Sequence, residues 1–237
     1  WDLSPGLDFE TRLIARTGLL EQLRAELCKP AYQCRPINLS GNTDCYQPLE
    51  AQRGSTRALL ELLRDSRHPV TIVTKSALIL RDTALLADMA RERLLHVFIS
   101  VTTLDDELKR SLEPRTASPA ARLRVIRELS AAGIPVGVLA SPMIPGLNDR
   151  ELEAILQAHY PQRAAKVMSL VRQCRGGADY DARFGHRMRG EGVFAQLLAR
   201  RFQQASKRLG LNARRYDELD CSRFRPPRVQ GDLFAGA

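Results

Sequence analysis

Four short clusters of polar and conformationally special residues stand out along this 237-residue chain. They are Ser40-Gly41-Asn42-Thr43-Asp44-Cys45-Tyr46, then Thr74-Lys75-Ser76, then Ser100, Thr102 and Thr103, and finally Met143-Ile144-Pro145-Gly146. Between them they offer hydroxyl and amide donors, a carboxylate, an amine and a glycine turn. Lys75 suits a ligand carboxylate or phosphate, which it would meet as a compact charge. Arg115, in Glu113-Pro114-Arg115, can clamp a carboxylate through two parallel N–H bonds. Helix capping and turns use the same residue types, so each cluster taken alone has a purely structural reading as well. Hydrolytic constellations are missing from the sequence: no H-E-x-x-H, no G-x-S-x-G and no close His/Cys pair occurs.

The elements that must carry these clusters are legible from periodicity. Residues 36–42 form a short apolar run into Ser40-Gly41-Asn42. A helical pattern covers about Leu49 to Arg67, with Leu59, Leu60, Leu62 and Leu63 toward the core. Val70 to Val73 predicts a strand closed by Thr74-Lys75-Ser76, Leu80 to Arg91 a helix, and His96 to Thr103 another strand. Ser118 and Pro119 supply an N-cap and a first-turn proline for a helix through Leu123, Ile126 and Leu129, ended by Gly133. Pro135 to Ala140 predicts a further strand, and Asp149 starts a helix.

Strand and helix thus alternate with a period of roughly 30 residues, the pattern of a parallel β/α fold. The strands are apolar throughout, which predicts cover on both faces. No G-x-G-x-x-G follows the first strand and no P-loop occurs, so a barrel or partial barrel remains. In such folds ligands bind beyond the carboxyl ends of the strands, where all four clusters fall. His68 and His96 precede their strands and belong to the opposite, structural rim.

The second half changes character. Pro161 to Arg172 and the long basic stretch Val193 to Leu209 read as helices. Residues 222–237, with Pro226-Pro227 and little apolar content, read as a flexible tail. The organisation expected is a β/α core over 1–158, a helical basic extension over 159–221 and the tail. The helix from Asp149 runs into Ala158-His159-Tyr160-Pro161 without the next strand, which implies a missing segment between Ala158 and His159. The alternative is a helix–turn–helix at Tyr160-Pro161. The chain opens at Trp1 instead of Met, so its true beginning is expected upstream.

Charge and composition narrow the function classes. Residues 1–158 carry 20 basic and 20 acidic side chains, whereas residues 159–237 carry 16 basic and 7 acidic. The whole excess of +9 lies in the last third, which favours contact with a polyanion, most often nucleic acid. A solvated Arg-rich surface is the plainer reading. Aromatic residues at 5% argue against a base-stacking single-strand binder. The five cysteines, Cys28, Cys34, Cys45, Cys174 and Cys221, are odd in number with no C-x-x-C spacing. Zinc-finger and dithiol readings therefore fail, and a reducing, cytoplasmic compartment is expected. No apolar run approaches the roughly 18–20 residues of a membrane helix, and no leader is evident.

Taken in order and spacing, Gly41-Asn42-Thr43-Asp44 with Tyr46-Gln47-Pro48, Thr74-Lys75-Ser76, Glu113-Pro114-Arg115, Ile144-Pro145-Gly146 and the later block from Tyr180 to Gly190 resemble a radical SAM enzyme. More closely, they resemble the bacterial subfamily related to spore photoproduct lyase and termed DNA repair photolyase-like. The resemblance implies a partial (β/α)6 TIM-like barrel. It implies a 4Fe–4S cluster on three cysteines in a C-x3-C-x2-C loop, with S-adenosylmethionine (SAM) on the remaining iron. Reductive cleavage of SAM would give a 5′-deoxyadenosyl radical, in lyase or repair chemistry acting on DNA. Carried over, Gly41, Asn42 and Asp44 would meet the SAM amino group, and Ser100 and Thr102 the ribose. Ile144 and Gly146 would line the adenine. Lys75 with Ser76, and Arg115, would face the SAM carboxylate or ribose. The cluster loop is absent from the 237 residues; in the family it lies just before the segment beginning Leu3-Ser4-Pro5. Cys45 stands where relatives usually place proline, and it is a candidate hydrogen-atom donor or an inert small residue.

Gln230-Gly231-Asp232-Leu233-Phe234 resembles the peptide by which bacterial repair proteins dock on the sliding clamp, with Gln230, Leu233 and Phe234 as the contacts. Two other functions stay open: a non-catalytic DNA- or clamp-binding protein on a degenerate barrel, and a TIM-barrel enzyme using Lys75 on a phosphorylated metabolite. The latter predicts a glycine-rich phosphate nest at late strands, which the sequence does not show.

Overall fold

The computed structural model describes residues 15–41, 43–139, 169, 172–174, 176–178, 190–208 and 218–227. Its elements are α1 (Leu19–Leu27), β1 (Ile37–Asn38), α2 (Glu50–Arg53), α3 (Ser55–Asp65), β2 (Val70–Thr74), a 3-10 helix (Ala77–Asp82), α4 (Thr83–Arg91), β3 (Leu95–Ser100), α5 (Asp106–Leu112), α6 (Pro119–Ala131), β4 (Val136–Leu139) and α7 (Gly192–Arg208). The strands form one sheet in the order β1-β2-β3-β4. β1 pairs with β2 and β2 with β3 in parallel. Val97 N–H reaches the Pro135 carbonyl and Val101 N–H the Leu139 carbonyl, the same rising register. A parallel sheet with intervening helices is compatible with a partial barrel. The strand expected near 158–159 lies outside the described residues.

Two expected elements divide. The helix read over 49–67 breaks at Gly54, whose φ of 63° is left-handed and therefore suited to glycine. Gly54 has no side chain to cap α3, and Glu50 substitutes: its carboxylate accepts the Thr56 N–H at 2.6 Å. The segment before α4 winds as a 3-10 turn because the Ser76 hydroxyl caps it, accepting the Leu78 N–H at 3.2 Å. β1 shrinks to two residues, after which the chain turns through an Asn38 side-chain bond to the Ser40 N–H at 2.9 Å.

Expected cover on both strand faces is corrected to an alternation. In β2, Val70, Ile72 and Thr74 are buried while Thr71 and Val73 are half-buried, and β3 alternates likewise before ending on buried Ile99 and Ser100. Leu60 and Leu63 of α3 and Leu86 and Met89 of α4 are fully buried as well. Each such side chain contributes about 1.5–3 kcal/mol of transfer free energy. Leu59 is only half-buried and Leu123 is exposed; Val125 and Leu129 carry the α6 contact instead.

The chain forms two compact units: residues 1–99, 121–137 and 218–237, and residues 100–120 and 138–217. In the first unit residues 218–227, expected to include the start of a free tail, lie packed as a strap. Asp220 N–H bonds the Arg93 carbonyl at 3.0 Å and Arg225 N–H the Ser66 carbonyl at 2.8 Å. The Phe224 ring meets Tyr32 and His68 at 5.4 and 5.3 Å between centroids. Arg223 pairs with Asp220 at 2.8 Å and Glu92 at 3.4 Å. Hydrogen bonds from Ser222, with Arg223 adding, pull the Asp220 carboxyl down to about 2. In the second unit α7 begins where Glu191 N–H bonds the Cys174 carbonyl at 2.7 Å.

Candidate functional site

The β1–α2 loop is built around one carboxylate. Asp44 Oδ1 accepts the Tyr46 N–H at 2.9 Å and the Thr74 hydroxyl at 2.7 Å, while Oδ2 accepts the Lys75 N–H at 2.8 Å. The loop carrying Gly41 to Cys45 is thereby knotted to the carboxyl end of β2. Register explains why a long side chain is needed. Asn38, the last residue of β1, pairs with Thr71, so the loop must climb past three further residues of β2 to reach its end. The last β2–β3 rung is Thr74↔Ile99, so those two strands end level.

A second knot lies beneath the first. Tyr46 is fully buried, and its hydroxyl donates to Asp82 Oδ2 at 3.1 Å. Asp82 is itself buried and accepts Arg57 at 2.8 Å and Arg81 at 3.3 Å. Arg81 also bonds the Glu50 carbonyl at 2.6 Å and stands 5.9 Å from the Tyr46 ring centroid. The Thr56 hydroxyl donates to the Cys45 carbonyl at 2.6 Å, and the Gln47 amide donates to Thr43. Burial, with the Asp82 carboxylate adding, pushes the Tyr46 phenol up, so it remains a donor. Asp82, Arg57, Arg81 and Glu50 went unnoticed in the sequence. Asp82 ends the run Leu78-Ile79-Leu80-Arg81, and nothing local signals that its partner is Tyr46.

Cys45 lies at the edge of this loop. The Ser40 hydroxyl contacts its sulfur at 3.3 Å. Burial pushes the Cys45 thiol up to about 12, Asp44 adding and the Ser40 contact opposing. The S–H bond is therefore intact at neutral pH, the state from which a hydrogen atom, not a nucleophilic thiolate, is available.

Of the other sequence candidates in the first unit, Gly41 is exposed, and a Cβ built on it would meet nothing within 4 Å. Lys75 is half-buried. The Ser76 hydroxyl serves as the cap already described. In the second unit Ser100 is buried at the end of β3. The Thr102 hydroxyl donates to the Glu113 carboxylate at 3.1 Å, and Lys109 Nζ holds the Pro114 carbonyl at 3.1 Å. The turn that carries Arg115 is thus fastened beside Thr102. Asn42, Ile144, Gly146, Gln230, Leu233 and Phe234 lie outside the described residues.

The donor set at the end of β2 fits the amino-acid head of SAM. Asp44 retains one of its four lone-pair sites for an ammonium hydrogen, and the Lys75 amine can balance a carboxylate. An iron–sulfur cluster does not fit the described residues, among which no three His, Cys, Asp or Glu side chains converge as metal ligands. All five cysteines are free thiols. A cavity of about 640 Å³ lies elsewhere, among Leu20, Arg24, Leu62, Ser66, Arg225 and Pro227, and none of the strand-end residues lines it.

The profile described as "Radical SAM superfamily" matches residues 17–158. An uncharacterized protein of Mycobacterium tuberculosis strain H37Rv is 35% identical over 148 residues, covering 62% of this chain and 44% of that protein. An uncharacterized protein of Methanocaldococcus jannaschii is 32% identical over 115 residues, 48% of this chain and 43% of its own. One from Acidianus two-tailed virus is 33% identical over 115 residues, 48% of this chain and 37% of its own. The chain spans less than half the length of these relatives. No solved structure matches it significantly.

Proposed function

The chain belongs to the radical SAM superfamily, and from that premise we propose that the whole protein is an enzyme that cleaves SAM reductively, this segment holding the SAM head group. The observation that carries the reading is the Asp44 knot, which fuses the Gly41–Cys45 loop to the end of β2. A polar rim fixed in this way is preorganised and need not be ordered by its ligand. When bound, SAM together with a reduced 4Fe–4S cluster supplies hydrogen-atom abstraction, and the cluster ligands are proposed to precede residue 1. In this reading Gly41, Asn42 and Asp44 meet the SAM ammonium, and Lys75 opposes its carboxylate. Ser100, Thr102 and Arg115 are proposed for the ribose side, and Ile144 and Gly146 for the adenine. Cys45 keeps its thiol hydrogen within the rim. Anaerobic reconstitution of the full-length protein should give iron–sulfur absorbance and release 5′-deoxyadenosine with dithionite. A reconstituted, cluster-bearing protein that leaves SAM intact would sink the assignment. Cys45→Ala with an unchanged product distribution removes the hydrogen-donor role alone.

The substrate proposed is DNA, in a lyase- or repair-like reaction, supported by the +9 excess confined to residues 159–237. Part of that excess is used internally, since Arg223 pairs with Asp220 and Glu92. Duplex affinity that falls steeply with salt supports the proposal, and a flat response refutes it. The clamp contact through Gln230, Leu233 and Phe234 is tested by clamp pull-down with and without residues 230–234; equal recovery refutes it. Among the described residues no helix is long and apolar enough to cross a membrane, and five free thiols suit the cytoplasmic location proposed.

A further inference from the structure

Tyr46 belongs to both knots of the strand-end loop. Its main-chain N–H bonds Asp44 Oδ1 at 2.9 Å, and its hydroxyl donates to Asp82 Oδ2 at 3.1 Å. One residue thus joins the carboxylate at the rim to a second carboxylate with no exposed surface. The connection closes into a ring. Arg81 bonds Asp82 at 3.3 Å and the Glu50 carboxylate at 3.2 Å. Glu50 accepts the Thr56 N–H at 2.6 Å, and the Thr56 hydroxyl donates to the Cys45 carbonyl at 2.6 Å. Arg57, next to Thr56, reaches Asp82 at 2.8 Å. The Cys45–Tyr46 peptide group therefore has its carbonyl fixed by Thr56 and its N–H fixed by Asp44.

Two features set this ring apart from ordinary core. Asp82 occupies the N-cap position of α4, where aspartate is among the best caps, yet its side chain bonds none of the helix amides. The local bond is forgone for partners 36 and 25 residues away. A buried carboxylate held by two guanidinium groups is also a poor way to stabilise a core, since packed apolar groups of similar volume often do as well or better. What such a network can supply instead is one fixed geometry.

We propose that Asp82 is a positioning residue for the SAM head group: through the Tyr46 hydroxyl it fixes the Cys45–Tyr46 peptide, and with it the angle at which Asp44 presents its remaining lone pair. The inference rests on the SAM reading of the strand end. Asp82 itself touches no ligand; it acts through Tyr46, and Arg57 and Arg81 hold it in place.

The test uses the reconstituted full-length protein and SAM itself. Asp82→Asn keeps the shape but turns an NH2 toward the surrounding donors, and Tyr46→Phe removes only the hydroxyl. Leu95→Ala, at the amino end of β3 on the opposite rim, controls for lost stability. Equilibrium dialysis should show SAM weakened about tenfold in both ring variants, within the range of coupling between groups that share no ligand contact. The control, whose urea midpoint falls at least as far, should keep its affinity. In SAM-free protein, hydrogen exchange at the Lys75 and Tyr46 amides should quicken in both ring variants beyond the loss of global stability. Unchanged SAM affinity in both ring variants, an equal loss in Leu95→Ala, or unaltered Lys75 exchange would each overturn the role. Tyr46→Phe, the milder change, decides the matter if Asp82→Asn does not fold. If wild type binds no SAM, the enzyme assignment falls and this role with it, whereas a failure of positioning alone leaves wild-type binding intact.

Discussion

Replacing Asp44 tests whether the rim is held as described. In Asp44→Ala three donors lose their acceptor: the Tyr46 and Lys75 amides and the Thr74 hydroxyl, which sits on a buried residue. A hydrogen bond to a charged acceptor is worth about 1.5–3 kcal/mol, and a buried donor left unpaired costs about 1–3 kcal/mol. The loop can open toward water and rehydrate its amides, so the net loss expected is about 3–5 kcal/mol instead of the full sum. Asp44→Asn is the sharper probe. Its single carbonyl oxygen can keep Tyr46 and Thr74, but its NH2 then faces the Lys75 N–H, donor against donor. If the amide is flipped, Lys75 is kept and the other two are lost. Either way the cost is about 1.5–3 kcal/mol with almost no change in shape. Urea unfolding measures both values, and hydrogen exchange at the Lys75 amide reads the local knot. An Asp44→Ala protein within about 1 kcal/mol of wild type, with Lys75 exchange unaltered, would show that the loop is held by something else and that the rim is not preorganised.

Three further outcomes follow from other contacts. Asp82→Ala orphans the buried Tyr46 hydroxyl and should cost about 2–4 kcal/mol, Tyr46→Phe about 1 kcal/mol, and urea titration of the double variant should fall short of additivity. Gly137→Ala places a Cβ 2.6 Å from Phe98 Cδ1, so the ring must shift; about 1–3 kcal/mol of lost stability is expected in urea or thermal unfolding. Burial holds His68 below its ordinary value near 6.5, with its Pro69 bond opposing. The unfolded chain therefore takes up that proton first, so this contribution is whole above the unfolded value and is lost as pH falls through the folded one. The urea midpoint should drop over that interval in wild type and less steeply in His68→Gln.

What was legible in the sequence was whatever repeats along it. Apolar periodicity located α4, β2 and β3 to within a few residues, and the Ser118-Pro119 and Gly133 signals bracketed α6. Asp44, Lys75 and Ser76 were singled out because strand ends are the ligand side of parallel folds, and the Lys75 N–H bonds Asp44 there. Harder to see were features that depend on a distant partner. Gly54 looked helical because its neighbours are, and only its left-handed φ reveals the break. Asp82 took its meaning from Tyr46, 36 residues earlier. The alternation in β2 was hidden by β-branched residues, which look equally apolar on the buried and the half-buried face.

The strap also sets an order of events during synthesis. Its Pro227 carbonyl meets Cys28 across 199 residues, so the aromatic pair Tyr32–His68 leaves the ribosome long before Phe224 exists to shield it. A nascent chain thus displays that patch until residue 224 has been made, when an emerging domain is open to chaperones and to misassociation. Completion of this unit waits for the strap to be made, not for the collapse of the sheet.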